Sequence, residues 1–277
     1  MDLASVIQED VARALDEDIG TGDVTAMLVP ESDSAHARVI TREPAVLSGI
    51  AWFEACYHQI DRDVKIRWKA RDGDRLASGQ LICEIEGRAR SLLTAERCSL
   101  NFLQTLSAVA TKTRAFVDAI VGTRAAILDT RKTLPGLRHA LKYAVRCGGG
   151  TNHRMGLYDG VLIKENHIAS AGGIGAALAQ ARKVAPDIPV EIEVETISQL
   201  EQALAAGARL ILLDNFDLAG FREAVRVTAG RAALEASGGV NLDTVRAIAE
   251  TGVDRISIGT LTKDIRAIDL SMRFVAG

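Results

Sequence analysis

Aromatic residues make up only 4% of this 277-residue chain, which leaves few rings on which single-stranded nucleic acid could stack. The formal net charge of −3 and an isoelectric point near 6.0 also argue against a general nucleic-acid binder. The sequence contains no apolar run of about 18 residues, the length that a membrane-spanning helix needs, and its first segment lacks the features of a secretory signal. We therefore expect a cytoplasmic protein that binds neither nucleic acid nor membranes.

The four cysteines are widely spaced and form no C-x-x-C pair, so the sequence indicates neither a zinc site nor a disulfide framework. We expect all four to be buried, reduced thiols: Cys56, Cys83, Cys98 and Cys147. A phosphate-binding loop of the G-x-x-x-x-G-K-S/T type is also lacking. Hydrophobic residues make up 48% of the chain, which is enough for a compact globular protein of one large domain or two smaller ones.

From about residue 125, short apolar runs alternate with amphipathic helical stretches, which predicts repeated βα units around a parallel sheet. The runs are AAILDT, GVLIKE, PVEIEVE, LILLDN, ALEASGG and RISIGT. The later ones recur every 22 or so residues, a spacing that favours an α/β barrel. Each run ends in polar or glycine residues, and barrel enzymes keep their chemistry at the carboxyl ends of the strands. Several strands are therefore expected to share one site.

The first part of the chain has a different pattern. It predicts a helix near residues 2–16 and strands in ARVITRE, VKIRWKA and QLICEIEG, as in a separate α/β sandwich. A long helical pattern follows, and its apolar stripe is expected to be buried. That stripe comprises Leu100, Leu103, Leu106 and Val109. The domain boundary should fall near residues 105–112.

Positive charge is concentrated in one segment, where seven Arg or Lys residues and a single acid, Asp159, lie between residues 131 and 164. The basic residues are Arg131, Lys132, Arg138, Lys142, Arg146, Arg154 and Lys164. This excess predicts a concave site for a highly anionic small molecule. Arg138, Lys142 and Arg146 share one face of a predicted helix, and for Lys142 and Arg146 we expect a solvated helical face.

The glycine run at residues 148–150 leads directly to His153 and Arg154. Glycine would let the backbone approach a ligand while an imidazole and a guanidinium are presented together. A histidine in isolation is more often structural than functional. Both interpretations of His153 stay open.

Acidic residues are sparser at the predicted strand ends. Glu193 and Glu195 lie on one strand, and Asp214 ends the next. Glu193 would either pair with Lys164, accept hydrogen bonds from sugar hydroxyls, or help to hold Mg²⁺ through water. After the last two strands, the segments 237–239 and 259–260 match the usual phosphate site of barrels. Such a site suits a phosphorylated, pyrophosphate-bearing sugar and an acidic co-substrate.

The segment TRKTLPGLRHALKYAVRCGGGTNHRMGLYDGVLIKENHI resembles the quinolinate phosphoribosyltransferase family, also called nicotinate-nucleotide pyrophosphorylases (carboxylating). Further motifs in the family's order extend the resemblance over nearly the whole chain. They are EDIGTGDVT (17–25), ERCSLN (96–101), EIEVE (191–195), LLDNF (212–216), EASGGV (235–240) and ISIGT (256–260). Leu134 stands where the R-K-T-T-P-G version of the motif has Thr, a change that we expect to be tolerated.

The resemblance implies an α/β fold, with an N-terminal α/β sandwich domain over residues 1–108 and an incomplete α/β barrel of about seven strands over residues 109–277. We expect the C-terminal segment to pack back on the N-terminal domain. The implied reaction is phosphoribosyl transfer from phosphoribosyl pyrophosphate to quinolinate with decarboxylation. It gives nicotinate mononucleotide, pyrophosphate and CO₂ in de novo NAD biosynthesis. Mg²⁺ would be bound mainly through phosphoribosyl pyrophosphate, with no residue assigned as its ligand.

The resemblance also implies a homodimer with shared active sites, and a hexamer of dimers as a larger assembly. Arg97 would be supplied by the partner subunit. The quinolinate carboxylates would be bound by Arg131, His153 and Arg154 with help from Lys132 and Lys164, and Thr130 would be a further substrate contact. The ribose hydroxyls would contact Glu193 and Asp214. The 5′-phosphate would be received by Ser237, Gly238, Gly239, Gly259, Thr260 and Leu261. The four residues expected to take part in catalysis are Lys132, Lys164, Glu193 and Asp214.

Two alternatives share the fold. A related molybdenum-locus family is expected to diverge around the lysine of VLIKENH, whereas Lys164, Asn166 and His167 are all present here. A non-catalytic pyridine-nucleotide sensor would be favoured by loss of the acids or of the arginine in ERCSLN, but Glu193, Asp214 and Arg97 are intact. The enzyme is therefore the main hypothesis.

Overall fold

The computed structural model describes residues 2–275, which divide into two compact units. The first unit contains the chain through Arg114, the segment Leu134–Gly149 and the chain from Thr262 onward. The second contains Ala115–Thr133 and Gly150–Leu261. The predicted domain division at residue 108 falls inside a helix that spans Ala89–Ala119, and it stays a prediction.

The helices are α1 (Leu3–Ile19), α2 (Ile50–Ile60), α3 (Ala89–Ala119), α4 (Arg138–Cys147), α5 (Glu165–Ala171), α6 (Ile174–Val184), α7 (Ile197–Ala205), α8 (Leu218–Thr228) and α9 (Val245–Ala249). The strands are β1 (Ser34–Thr41), β2 (Ala45–Val46), β3 (Lys65–Trp68), β4 (Arg75–Leu76), β5 (Leu81–Arg88), β6 (Ala126–Leu128), β7 (Val161–Ile163), β8 (Val190–Val194), β9 (Leu210–Asp214), β10 (Ala233–Ser237), β11 (Arg255–Ser257) and β12 (Leu270–Phe274). Short 3-10 helices occupy Ala26–Leu28 and Gly259–Leu261.

The first unit is built on an antiparallel sheet in the order β12-β1-β5-β3, beside the small pair β2-β4. The predicted strands in this part of the chain are confirmed as β1, β3 and β5, and the predicted first helix is α1. The last strand, β12, pairs with β1 from Ala37↔Phe274 to Thr41↔Leu270. The apolar stripe predicted for the long helix is buried in α3, with Leu103 fully inaccessible, as expected for a helix that packs one face into a core. Cys56, Cys83 and Cys98 are buried thiols, while Cys147 is half-buried.

The solvated face expected on α4 is wrong for Lys142. Its side chain is fully buried, whereas Arg146 is exposed and its guanidinium carbon lies 5.7 Å from the centre of the Tyr143 ring. The buried positions of this helix run through 140–142 and 144–145, which is wider than the single stripe of a surface helix. The spacing of the charged residues did not indicate that a second side of α4 is buried.

The second unit confirms the six predicted βα strands. They form one parallel sheet in the order β6-β11-β10-β9-β8-β7, and Thr151 joins β6 through a single parallel bridge to Leu128. Side chains such as Ile192 and Ile211 are fully buried, because parallel strands are covered on both faces. No helix within residues 2–275 combines the length and apolarity needed to cross a membrane.

Candidate active site

A cavity of about 450 Å³ lies at the carboxyl ends of the parallel strands in the second unit. Nine of the residues that the sequence predicts for the site line it: Thr130, Arg131, Lys132, His153, Arg154, Lys164, Glu193, Asp214 and Ser237. They come from the segments that follow β6 and β7, from the loop before β7, and from β8, β9 and β10. The polar strand ends therefore meet at one site, as the barrel pattern predicts.

Two guanidinium groups face this cavity. Burial and the positive charge of Arg131 both lower the pKa of Arg154. Arg154 donates to the carbonyl oxygen of Gly160 at 2.7 Å, and Nε of Arg131 is buried without a hydrogen-bond partner among residues 2–275. Like charges held close together at the wall of a cavity favour an anionic ligand, because its negative charge relieves their repulsion.

The backbone of the segment after β6 is fixed by Thr130, whose hydroxyl oxygen accepts from the N–H of Lys132 at 3.0 Å. Gly259, two residues after the end of β11, lies against the same lysine. A Cβ at position 259 would come within 3.0 Å of Lys132 Cδ, so glycine leaves room for the lysine side chain. Gly259 therefore acts by making space beside the cavity.

Lys164 and Glu193 form an ion pair in the wall of the cavity, with 2.6 Å between Nζ and Oε2. This is one of the arrangements that the sequence left open for Glu193. The Lys164 side chain keeps 45% of its surface exposed while that of Glu193 keeps 10%, so the lysine remains available to a ligand. On the next strand, Asp214 accepts from the side-chain amide of Asn215 at 2.8 Å. Two carboxylates thus stand at neighbouring strand ends.

The segment after β10 has the geometry of a tight glycine turn. Gly238 has a φ of 102° and Gly239 a φ of 60°, values that L side chains rarely adopt. A Cβ at Gly238 would also lie 2.2 Å from Oδ1 of Asn215. Of the predicted phosphate-site residues, Ser237 lines the cavity.

The other phosphate-site predictions lie at the same strand ends. Gly259, Thr260 and Leu261 form the 3-10 helix after β11. Leu261 has a fully buried side chain, and its N–H donates to the carbonyl of Ile258 at 3.4 Å. Arg97 lies on α3 in the first unit with an exposed side chain, and its role in a partner's site stays a prediction.

A buried polar layer beneath the cavity was not predicted from the sequence. Asp129 is fully buried and accepts from the Asn152 side chain at 2.6 Å and from the His153 N–H at 2.9 Å. Glu191 and Glu235 are also buried, and both face the imidazole of His153. Burial and the negative charge of Glu191 raise the pKa of Glu235 to about 7.

Strand alternation is the signal that could have revealed these acids. Side chains two residues apart on a strand point to the same face. Glu191 precedes the predicted Glu193 by two positions, and Glu235 precedes Ser237 by the same step. The polar residues at the strand ends do not by themselves reveal the acids one layer deeper.

Comparison with known proteins identifies the family. The model for the quinolinate phosphoribosyl transferase C-terminal domain matches residues 109–273, and that for the N-terminal domain matches residues 23–107. The nicotinate-nucleotide pyrophosphorylase (carboxylating) of Mycobacterium leprae is 42% identical over 275 residues, covering 96% of both chains. The tobacco (Nicotiana tabacum) mitochondrial quinolinate phosphoribosyltransferase (decarboxylating) 2a is 39% identical, covering 98% of this chain and 82% of its own.

A solved structure agrees with these relatives. The nicotinate-nucleotide pyrophosphorylase of Francisella tularensis superposes with a TM-score of 0.96 at 46% identity, covering 98% of this chain and 97% of that one. These comparisons give no support to the molybdenum-locus family or to the sensor.

Proposed function

The chain belongs to the quinolinate phosphoribosyltransferase family, and from that membership we propose how its strand-end cavity works. The enzyme transfers the phosphoribosyl group of phosphoribosyl pyrophosphate to quinolinate with loss of CO₂, which is a step of NAD biosynthesis. The pair of guanidinium groups in the cavity is the observation that carries the assignment of the site, because quinolinate is a dianion. What we propose is the role of each residue in this cavity.

Arg131 and Arg154 bind the two carboxylates of quinolinate. Guanidinium groups form forked hydrogen bonds with carboxylates, and the lowered pKa of Arg154 reflects burial and the neighbouring charge of Arg131, which a bound dianion would offset. His153 differs, since both of its ring nitrogens already lie against protein atoms. We assign it to the support of Arg154.

Glu193 and Asp214 receive the ribose hydroxyls of phosphoribosyl pyrophosphate, and the turn from Ser237 to Gly239 receives its 5′-phosphate. The two carboxylates are oxygen donors of the kind that Mg²⁺ prefers, and Glu193 is already shared with Lys164. That donor set fits a Mg²⁺ ion held chiefly by the substrate's own phosphate oxygens. When bound, Mg²⁺ would neutralise negative charge on the departing pyrophosphate.

The transfer step needs no protein nucleophile, because the pyridine nitrogen of quinolinate attacks C1 of the ribose as pyrophosphate leaves. The cavity contributes by orienting the two substrates and stabilising charge. Loss of the C2 carboxylate as CO₂ then leaves an electron pair on C2 beside the pyridinium nitrogen, and C2 takes up a proton from water to give nicotinate mononucleotide. A cation close to that carbon stabilises the electron pair, and we assign this role to Lys132 and Lys164.

Replacing each lysine in turn tests this assignment. Lys132→Ala and Lys164→Ala should each lower kcat by about a hundredfold, since each removes charge that acts on the reaction rather than on folding. The measurement is steady-state kinetics with both substrates, together with their separately measured dissociation constants. Near-normal turnover in both variants would remove the lysines from the mechanism.

The activity itself is tested by ultraviolet absorbance of the product. Purified protein should form nicotinate mononucleotide when quinolinate, phosphoribosyl pyrophosphate and Mg²⁺ are all present. No product should form when any of the three is withheld. Nicotinate offered in place of quinolinate lacks the C2 carboxylate and serves as the control substrate. Folded protein that forms no product from the complete mixture would contradict the assignment.

The assembly and location are further proposals. We propose a cytoplasmic homodimer in which Arg97 of each subunit serves the site of its partner, with a hexamer of dimers as the larger form. The support is the family resemblance of the ERCSLN segment and the exposed position of Arg97 on α3.

A further inference from the structure

The imidazole of His153 has a partner at each ring nitrogen. Nδ1 lies 2.7 Å from the backbone nitrogen of Arg154, and Nε2 lies 2.8 Å from Oε2 of Glu191. A backbone N–H can only donate, so Nδ1 must accept and the ring hydrogen must be on Nε2. The surroundings therefore select one neutral tautomer, in which Nε2–H donates to Glu191.

Glu235, on β10, is the third member of this cluster. Its Oε1 lies 3.6 Å from Nε2 of His153, and its side chain has no exposed surface. Within the described residues, neither carboxyl oxygen of Glu235 has a partner at full hydrogen-bond geometry, although the Ser257 hydroxyl lies close enough to lower the pKa of Glu235, and Oε1 of Glu191 also has no partner. The polar groups that act on Glu235 are Glu191 on β8, His153, and Arg255 and Ser257 on β11.

Two ionised carboxylates buried this close together would destabilise the folded protein. Buried like charges repel strongly because little water screens them. A single proton on the pair removes the repulsion and leaves one carboxylate to accept from the imidazole. The raised pKa of Glu235, caused by burial and then by the charge of Glu191, agrees with the proton being on Glu235.

A bound metal ion is the competing explanation, because ligand atoms of His153, Glu191 and Glu235 all lie within 4.8 Å of one another. Ligation would use the lone pair of Nε2, which would force the ring hydrogen onto Nδ1. That hydrogen would then point at the N–H of Arg154 across 2.7 Å. Two donors facing each other at this distance repel, so the geometry favours a proton over a metal ion.

We propose that Glu191, as the acceptor of Nε2–H, and the N–H of Arg154, as the donor to Nδ1, lock the tautomer of His153 beside a neutral Glu235 and so position Arg154 for quinolinate. The inference rests on the proposed function, since Arg154 is the residue that would bind quinolinate. Glu191 and Glu235 are positioning residues that act through His153 and Arg154; Glu235 borders the cavity, but its side chain is fully buried.

The tautomer of His153 can be measured directly, without an activity assay. In protein labelled with ¹⁵N at its five histidines, long-range ¹H–¹⁵N spectra assigned with His153→Gln should show a protonated Nε2 and an unprotonated Nδ1 for His153 near neutral pH. A hydrogen on Nδ1, or a doubly protonated ring, overturns the proposal whatever the enzyme's activity. Added Zn²⁺ or Mn²⁺ that shifts or broadens the His153 signals at micromolar concentration would favour the metal site instead.

Two matched substitutions separate the two acids, because each replaces a buried carboxyl by an amide of the same size. Glu235→Gln mimics the protonated acid, so the KM for quinolinate should stay within about threefold of the wild-type value. Glu191→Gln replaces the carboxyl acceptor of Nε2–H by an amide that both accepts and donates, so the same KM should rise by about tenfold or more. The KM for phosphoribosyl pyrophosphate should be unchanged in both variants.

Glu223→Gln is the control, since Glu223 pairs with Arg226 on the outside of α8. An equal loss in Glu235→Gln and Glu191→Gln would overturn the placement of the proton. A loss confined to kcat would overturn the action through Arg154. If Glu191→Gln does not fold, the wild-type tautomer and the Glu235→Gln kinetics still decide the proposal.

Discussion

At the scale of single residues, Arg154 depends on a glycine. A Cβ at Gly160 would lie 3.0 Å from Arg154 Cβ and 3.3 Å from its Cδ, closer than side chains normally pack. Gly160→Ala should therefore displace the guanidinium and raise the KM for quinolinate by about tenfold. Gly175→Ala is the matched control, because nothing lies within 4 Å of that added Cβ. Equal quinolinate KM values for the two variants would contradict the role given to Arg154.

The raised pKa of Glu235 predicts the sign of a pH dependence in the stability of the folded protein. Its folded pKa of about 7 lies above its ordinary value of 4.5, so the folded state binds more protons than the unfolded state between these values. The free energy of unfolding should then fall as pH rises through that range. Glu235→Gln removes the titration and should gain stability relative to the wild type from about pH 5 to about pH 8.

Urea unfolding at a series of pH values measures this gain. Glu223→Gln serves again as the control. Arg226 lowers the pKa of Glu223, so that group is ionised throughout the range and its substitution should give a difference that does not change with pH. A constant difference for Glu235→Gln would show that its carboxyl does not titrate there.

The site residues at strand ends were predictable from the sequence, whereas the buried residues that hold them in position were not. Arg131, Lys164 and Asp214 follow or end apolar runs, and barrel geometry brings such positions together. The burial of Glu235 and the tautomer of His153 depend on contacts between strands that are distant in the sequence. Lys142 shows the same limit, since its full burial follows from how α4 is packed and not from its own spacing.

At the scale of elements, side-chain caps satisfy backbone N–H groups in the first turns of α7 and α8. Asp217 precedes α8, and its carboxylate accepts from the N–H of Gly220 at 2.7 Å. Asp217→Ala should lower the free energy of unfolding by about 1 kcal/mol, because one N–H of the first turn loses its acceptor. Asp187→Ala, at an exposed position before β8, is the control and should change stability by less than about 0.5 kcal/mol.

Chemical denaturation of both variants checks this prediction, and kcat should be unchanged in each because neither side chain lines the cavity. A stability loss of the same size at positions 187 and 217 would mean that the cap contributes nothing special. A loss of activity at 217 alone would instead connect α8 to the site.

Periodicity predicted the elements of the second unit well. All six apolar runs became parallel strands, because buried strands of this kind read as continuous apolar segments. The short or less periodic elements were missed, including α2, the pair β2-β4 and β12. The pairing of β12 with β1 joins residues more than 200 positions apart, and local sequence carries no signal for such a partner.

At the scale of the whole molecule, the shared site is the boldest proposal. Arg97→Ala and Lys132→Ala should each be nearly inactive. When equal amounts of the two variants are dissociated, mixed and reassembled, the mixture should recover about a quarter of the activity of the same amount of wild-type protein. Recovery follows because a mixed dimer has one site with both residues intact. Mixing either variant with itself is the control, and no recovery in true mixed dimers would place Arg97 and Lys132 in the same subunit's site or in none.

The central claim is that the strand-end cavity couples phosphoribosyl transfer to loss of the C2 carboxylate of quinolinate. Its most direct test measures labelled CO₂ and pyrophosphate released from C2-carboxyl-labelled quinolinate by the wild type and by Asp214→Asn. We predict one CO₂ for each pyrophosphate in the wild type, and a loss of both by about a hundredfold or more in the folded variant. Full release of both products by Asp214→Asn, or pyrophosphate without CO₂ from the wild type, would contradict the account.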